Sequence, residues 1–210
     1  RAQMQAPRKS TNFAQLKQNY RAIFAHPHAR VCYAAVFIEG SCVLGVFPFV
    51  AAFLADLGEP RLSIAGLVIA GFAVGGLVYT SSVSRLLPWL GERGLMIGGG
   101  LLVAGQLLVV AWGPSWQAQL VSFVAMGCGF YMIHGSLQTF SSEISVEARG
   151  TAVGLHAFFF FLGQTAGPLA YGYGISSIGK VPSLLIAAAV VLAMGITSAM
   201  LLRHKPVRDA

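Results

Sequence analysis

Apolar residues occur in six long runs, and polar and charged residues are concentrated in the short segments between them. The runs cover about 31–55, 62–84, 94–113, 116–140, 150–175 and 182–202. A helix that crosses a bilayer needs about 20 mostly apolar residues, and it satisfies its backbone polar groups internally, as lipid requires. The pattern therefore predicts an all-α integral membrane protein with six transmembrane helices.

The composition excludes an ordinary soluble domain. Of the 210 residues, 56% are hydrophobic and 10% are charged, whereas soluble domains carry roughly 25% charged residues. The net charge is +7, but the basic residues form no patch, so we predict no nucleic-acid partner. Cys32, Cys42 and Cys128 lie apart within apolar runs, which predicts neither a disulfide framework nor a metal site. We expect no cofactor.

The basic residues lie mainly on one side of the predicted spans. Arg61 and Lys180 are the two on the other side, and the positive-inside rule then places both termini in the cytoplasm. The twelve basic residues on the first side are Arg1, Arg8, Lys9, Lys17, Arg21, Arg30, Arg85, Arg93, Arg149, Arg203, Lys205 and Arg208.

Apolar residues also recur at helical spacing before the first span. With Lys17 and Arg21 beside them, they predict a short amphipathic helix on the cytoplasmic membrane surface, with a disordered linker as the alternative. The pair His26-Pro27 is expected to end this helix. The apolar positions are Phe13, Leu16, Tyr20 and Phe24, and the candidate N-caps are Ser10 and Thr11.

A glycine-proline pattern in the fifth run, "GLHAFFFFLGQTAGPLAYG", carries a family resemblance. Its spacing resembles the antiporter motif of the major facilitator superfamily, with Tyr171 where that family has glycine. Two glycines three residues apart allow close helix approach, and a proline bends a helix. The resemblance implies that the motif bends and seals the interface between the halves of a transporter. Its residues are Gly154, Gly163, Gly167, Pro168 and Gly172.

The loop "SVSRLLPWLGERG" resembles the degenerate form of this family's loop in the C-terminal half, and "SEISVEARGTAVG" resembles the approach to helix 11. The resemblance covers about residues 12–204. It implies the C-terminal half of a twelve-helix fold, whose first six helices are missing from the chain. On this interpretation, 1–29 belong to the central cytoplasmic loop with its interfacial helix, 30–203 form the six-helix bundle, and 204–210 form a cytoplasmic tail.

Glu39 is an ionisable residue inside the first span. It lies roughly 12 Å into the bilayer at about 1.5 Å per residue, where a charge costs about 2.5–3.5 kcal/mol. His134 and His156 are further candidates for proton coupling. The alternative for all three is interhelical hydrogen bonding. Candidates for the substrate path are Tyr131, Gln138, Gln164 and Tyr171.

Charged residues at the cytoplasmic ends of the spans are candidates for a latch between the two halves. Such charges pair in one conformation and separate in the other; the alternative is a solvated, positively charged face. The latch candidates are Arg85, Gly91, Arg93, Glu143 and Arg149.

The resemblance implies a secondary active transporter that moves a small organic solute by alternating access, with proton-coupled efflux. Its partners would be the lipid bilayer, the N-terminal six-helix half, the solute and protons, in the inner (plasma) membrane of a bacterium. The alternatives are a six-helix channel and an intramembrane enzyme, although no catalytic residue is predicted, because Ser136 after His134 and Gly135 lies in no recognised nucleophile motif.

Overall fold

The computed structural model describes residues 13–202, and every regular element in that range is a helix. The α-helices are α1 (Phe13–Ala25), α2 (Pro27–Val43), α3 (Val50–Asp56), α4 (Leu62–Trp112), α5 (Trp116–Glu143), α6 (Arg149–Ile178) and α7 (Lys180–Leu201). A 3₁₀ segment, Leu44–Phe49, joins α2 to α3 around Pro48. Within the described part of the chain, five segments are long and apolar enough to cross a membrane, with Pro27–Asp56 counted as one.

Helix α4 has 51 residues, which would make about 76 Å of straight helix against a hydrocarbon core of about 30 Å. Gly91 interrupts it with φ 64° and ψ 170°, a left-handed conformation that glycine adopts readily. We call residues 62–90 the first arm and 92–112 the second arm. The predicted runs 62–84 and 94–113 fall on these two arms.

The two arms run in opposite directions along α5. In the first arm, Gly71 lies against Leu120 and Tyr79 against Gly135, so this arm is parallel to α5. In the second arm, Gly99 lies against Gly129 and the Gln106 carbonyl accepts a hydrogen bond from Ser122, so this arm is antiparallel to α5. The chain therefore reverses at Gly91, and each arm of α4 is a separate apolar helical length.

Helix α2 packs against α5, α6 and α7. It runs parallel to α6, because Tyr33 contacts Ala152 and Gly45 contacts Gly167. It runs antiparallel to α5, because Cys32 bonds to Leu137 whereas Phe47 meets Phe123. Consequently the start of α2, the end of α5 and the start of α6 lie at the same end of the bundle.

We call this end the basic end. The hydroxyls of Ser141 and Tyr33 both donate to the Ala152 carbonyl, each at 3.1 Å, and tie the three helices together there. The opposite end carries Arg61 and Lys180. The described basic residues of the basic end are Lys17, Arg21, Arg30, Arg85, Arg93 and Arg149.

The predicted helix before the first span is α1. It ends where the His26-Pro27 pair predicts, since the His26 imidazole caps α2 by accepting a hydrogen bond from the His28 N–H at 3.3 Å, and Pro27 suits the first helical position. Ile23 of α1 is buried while Phe13 is 81% exposed. The candidate caps Ser10 and Thr11 lie outside the described residues.

Candidate functional site

Glu39 lies wholly buried on the face of α2 that meets α5. Its side chain is 0% exposed, and its Oε2 is 2.8 Å from Nδ1 of His134. The neighbouring positions on this face, Cys32, Val36 and Val43, are also 0% exposed. These three side chains are small and largely apolar, so the imidazole of His134 is the principal polar contact of the Glu39 carboxyl.

His156 brings a third ionisable group to the same place from α6. Its ring centroid is 5.1 Å from that of His134, and it is 2% exposed. Within residues 13–202, neither ring nitrogen of His156 has a hydrogen-bond partner, and neither does Oε1 of Glu39. Sequence reasoning proposed these three residues separately for proton coupling, and the fold brings all three together.

Aromatic rings enclose His134. Phe130 stacks on the imidazole with centroids 5.0 Å apart, and Phe160 meets it edge-on at 4.9 Å. The His134 side chain keeps 18% of its surface exposed while Glu39 keeps none. His134 is therefore the member of the cluster, defined as Glu39, His134 and His156, that reaches the bundle surface.

The cluster can hold a proton without exposing it to water. At 2.8 Å, the proton between Nδ1 and Oε2 can reside on either atom, as an ion pair or as a neutral pair, and the net charge is the same in both. Gain or loss of one further proton changes the net charge in a region of low dielectric, where a charge is costly. Among residues 13–202, no group of three His, Cys, Asp or Glu side chains is arranged to hold a metal ion.

The four substrate-path candidates do not share one environment. Tyr131, Gln138 and Gln164 are exposed on α5 and α6. Tyr171 is buried, with 5% of its surface exposed, and its hydroxyl donates to the Cys42 carbonyl at 2.7 Å. Tyr171 thus joins α6 to α2 through an interhelical hydrogen bond, and its place on a substrate path stays a prediction.

The glycine motif packs within this bundle. A Cβ on Gly163 would collide with the Phe37 carbonyl, and one on Gly167 with the Ser41 carbonyl and the Gly45 Cα. Within the described residues Gly163 and Gly167 therefore lie against α2, and the sealing of an interface with another half by this motif stays a prediction. A Cβ added at Gly154 would meet no neighbouring atom within 4 Å, and one added at Gly172 would meet only the Phe49 ring, at 3.8 Å. Pro168 lies inside the continuous helix α6.

The latch candidates lie at the basic end. Gly91 forms the chain reversal, and Arg85, Arg93 and Glu143 are exposed. The guanidinium of Arg149 donates to the Ser142 hydroxyl at 3.1 Å.

At the opposite end, the Arg61 guanidinium bonds both oxygens of the Glu59 carboxylate, at 2.7 Å and 2.6 Å. These hydrogen bonds hold the pKa of the Glu59 carboxyl below its ordinary value. Lys180 places its ammonium 4.5 Å from the Phe53 ring centroid. Both basic residues of this end therefore have local partners.

The helical fold and the glycine pattern are both typical of one protein family. The family model described as Major Facilitator Superfamily matches residues 2–168. The chain belongs to this superfamily. The resemblance carried by the motifs of α6 is thereby confirmed.

Three curated relatives are similar to this superfamily member. Multidrug resistance protein 1 of Bacillus subtilis (strain 168) is 26% identical over 182 residues, which are 86% of this chain and 46% of the relative. An uncharacterised MFS-type transporter of the same organism is 28% identical over 142 residues, 67% of this chain and 36% of the relative. One from Yersinia pestis is 26% identical over 169 residues, 80% of this chain and 42% of the relative.

The chain spans about half the length of the curated relatives it matches. The superfamily and these relatives point to a transporter and not to an enzyme, so the alternative of an intramembrane enzyme is set aside.

Proposed function

We propose that this chain is the C-terminal six-helix half of a secondary active transporter that exports a small organic solute in exchange for protons. The two halves rock about a central site, so that the site opens to one side of the membrane at a time. The superfamily match, the long apolar helices and the half-length coverage of the relatives support this proposal. We place the protein in the inner membrane of a bacterium, as a multi-pass protein with residues 1–29 in the central loop and 204–210 in the tail.

The cluster of Glu39, His134 and His156 carries the coupling hypothesis. A carboxyl with no exposed surface is costly to ionise. One oxygen of Glu39 bonds to an imidazole and the other has no described partner, and an ionisable residue of this kind inside a membrane bundle is typical of a functional site. In our proposal the cluster gains a proton in one conformation and loses it in the other. The charge it carries then sets which conformation is stable.

Exposed polar groups near the cluster are the proposed path for the solute. Tyr131, Gln138 and Gln164 are exposed hydrogen-bonding groups on α5 and α6, the helices that carry His134 and His156. The name of the relative Multidrug resistance protein 1 supports an organic solute moving outward, although that name describes the relative alone.

The distribution of charge supports the orientation. Six described basic residues lie at the basic end, and the two at the opposite end are engaged by Glu59 and by the Phe53 ring. Under the positive-inside rule the basic end faces the cytoplasm, which puts both termini there.

The test of proton coupling is Glu39→Gln in the complete transporter, reconstituted in proteoliposomes with an imposed proton gradient. We expect gradient-driven solute movement to be lost while solute binding persists, because the amide cannot release a proton. Glu59→Gln, at the exposed loop, is the matched control and should transport normally.

Normal gradient-driven transport by Glu39→Gln would leave that residue a structural role only. Solute flux that saturates in neither variant and ignores the gradient would instead favour the six-helix channel.

The latch is tested separately with Arg149→Gln. An exposed ion pair contributes up to about 1 kcal/mol, so we expect the ratio of inward- to outward-facing states to shift by up to about fivefold. Accessibility of cysteines introduced at the two ends reports this ratio, with Arg61→Gln as the control. If the ratio is unchanged, the latch hypothesis is wrong, and the charged residues of this end form a solvated, positively charged face. These residues are Arg85, Arg93, Glu143 and Arg149.

A further inference from the structure

Two buried hydroxyl groups lie between the cluster and the basic end, and we call Tyr33 and Ser141 the hydroxyl pair. Tyr33 on α2 and Ser141 on α5 both donate to the Ala152 carbonyl of α6, each at 3.1 Å. All three residues are buried. Hydroxyls that join helices in this way are typical of interhelical packing, but two features of the pair are not explained by packing alone.

The first feature is that the Ala152 carbonyl has more donors than lone pairs. Inside a helix this carbonyl accepts the backbone N–H of the residue four positions on, which is His156. A carbonyl oxygen has two lone pairs, so the two hydroxyls compete for the one that remains. Either hydroxyl can therefore turn away and donate elsewhere while the carbonyl stays satisfied.

The second feature is an acceptor without a partner close by. His156 lies one turn along α6 from Ala152, and helical side chains lean over the turn that precedes them. The imidazole therefore lies towards the hydroxyl pair, and neither of its ring nitrogens has a hydrogen-bond partner among residues 13–202. One turn rises about 5.4 Å, a gap that one water molecule can bridge.

The hydroxyl pair also lies just beneath the surface of the basic end. Ala152 is three residues from Arg149, where α6 begins, and Ser141 is two residues from Glu143, where α5 ends. These offsets correspond to rises of about 3–4.5 Å, and Arg149 and Glu143 are both exposed. The pair is therefore within one helical turn of the solvent, whereas His134 lies about 13 Å from the end of α5.

Titratable side chains surround the hydroxyl pair from three helices, while α1 contributes an aromatic ring, since Phe24 meets Tyr33 edge-on at 6.0 Å. The Cys32 thiol is engaged, because it donates to the Leu137 carbonyl at 3.1 Å. His156 is thus the group near the pair whose nitrogens can take up a proton. The titratable groups are Cys32 and Glu39 on α2, His134 on α5 and His156 on α6.

We propose that Tyr33 and Ser141 are proton-relay residues between the basic end and His156. A hydroxyl oxygen accepts a proton from a hydronium ion of the solvent while its own proton passes, through one water molecule, to a ring nitrogen of His156. One proton moves inward, the hydronium becomes water, the imidazole becomes an imidazolium, and the hydroxyl ends neutral. The inference rests on the proposed function, since only a cluster that exchanges protons needs such a route.

The test follows the protonation of His156 in the complete transporter, held in nanodiscs, after a rapid drop from about pH 8 to about pH 5, the range in which histidine titrates. Time-resolved infrared spectroscopy of isotope-labelled imidazoles records it, and the band that His156→Phe removes belongs to this residue. Tyr33→Phe combined with Ser141→Ala should slow the protonation about a hundredfold, the lower end of what a positioned proton-transfer group contributes. Each single variant should stay close to wild type, because the other hydroxyl remains.

A relay changes the rate of protonation but not its equilibrium, so the midpoint of a steady-state pH titration of the same band should not move. Tyr33→Phe with Ser141→Thr keeps one hydroxyl and should restore the rate. The matched control is Tyr79→Phe with Ser198→Ala, which removes one phenol and one serine hydroxyl from buried residues elsewhere in the bundle. This control should leave both the rate and the midpoint unchanged.

A wild-type rate in the variant that lacks both hydroxyls overturns the proposal. A slow rate with a shifted midpoint, or equal slowing in the control, also overturns it, because either result indicates a structural role. If circular dichroism and size exclusion show that Tyr33→Phe with Ser141→Ala does not fold, Ser141→Cys replaces Ser141→Ala, since a thiol is a weak donor. Proton-driven transport by Glu39→Gln decides the proposed function, and the kinetics of His156 decide the route separately.

Discussion

Helix α2 packs against α6 and against α5 in opposite ways. Towards α6 it packs through glycines: Gly40, Gly45, Gly163 and Gly167 bring backbone against backbone, with no room for a Cβ. Towards α5 it presents Glu39, whose carboxyl bonds to His134. One interface depends on the absence of side chains and the other on two ionisable ones.

The two interfaces also differ in how completely their polar groups are satisfied. Between α2 and α6, the Ser41 hydroxyl bonds to carbonyls of both helices and the Tyr171 hydroxyl bonds to Cys42. Where α2 meets α5, one oxygen of Glu39 has no partner among the described residues, and neither has any ring nitrogen of His156, which α6 brings to the same cluster. A tightly satisfied interface is typical of structural packing, whereas a partly satisfied ionisable one is typical of a site with a function.

The largest expected effect on stability comes from removing one partner of the Glu39–His134 pair. His134→Leu leaves the Glu39 carboxyl buried without its partner, and we expect the free energy of unfolding to fall by about 3 kcal/mol. Glu39→Leu combined with His134→Leu should recover most of this loss, because an apolar pair needs no partner. Equilibrium unfolding in mixed micelles of the wild type, both single variants and the double variant gives the coupling. If the double variant loses the sum of the singles, the two residues are not coupled and the account of a paired carboxyl and imidazole is wrong.

The glycine interface is tested within the motif itself. Gly163→Ala places a methyl group against the Phe37 carbonyl, and overpacking of this kind costs about 1–3 kcal/mol, more than the gain of up to about 1 kcal/mol in helix propensity. Gly154→Ala, with no contact of this kind within 4 Å, should be neutral or stabilising. The same unfolding assay compares their signs, and equal effects would contradict the close-packing account.

The smallest effect concerns Tyr171. Tyr171→Phe removes its hydrogen bond to the Cys42 carbonyl, and interhelical hydrogen bonds in membranes contribute about 0.6 kcal/mol. We expect a loss of stability near this value with unchanged solute selectivity, while Tyr173→Phe, on a residue that is 77% exposed, should change neither. Altered selectivity in Tyr171→Phe would return that residue to the substrate path.

The sequence predicted the helices well because apolar length is a local property. The second arm of α4 and the start of α5 lie within two residues of the predicted runs, and α5 and α6 continue past them because polar residues at a membrane surface can remain helical. Glu39 was recognisable because a carboxyl inside an apolar run is costly wherever the helix goes.

Which helix faces which depends on tertiary packing, and there the sequence was less informative. Helical spacing puts His156, Gly163 and Tyr171 on one face of α6, but periodicity could not show that this face meets α2. The meeting of His156 with His134 follows from that packing.

The backbone contact between α2 and α6 has a mechanical consequence. Two helices interlocked at Gly45 and Gly167 without intervening side chains have little freedom to slide, so Glu39 and His156 travel together as parts of one stiff body. His134 belongs to α5, outside that body. Any motion that changes the 2.8 Å separation between Glu39 and His134 is therefore a displacement of α5 relative to the α2–α6 pair, and under the proposed function such a displacement is what a change in the charge of Glu39 would bring about.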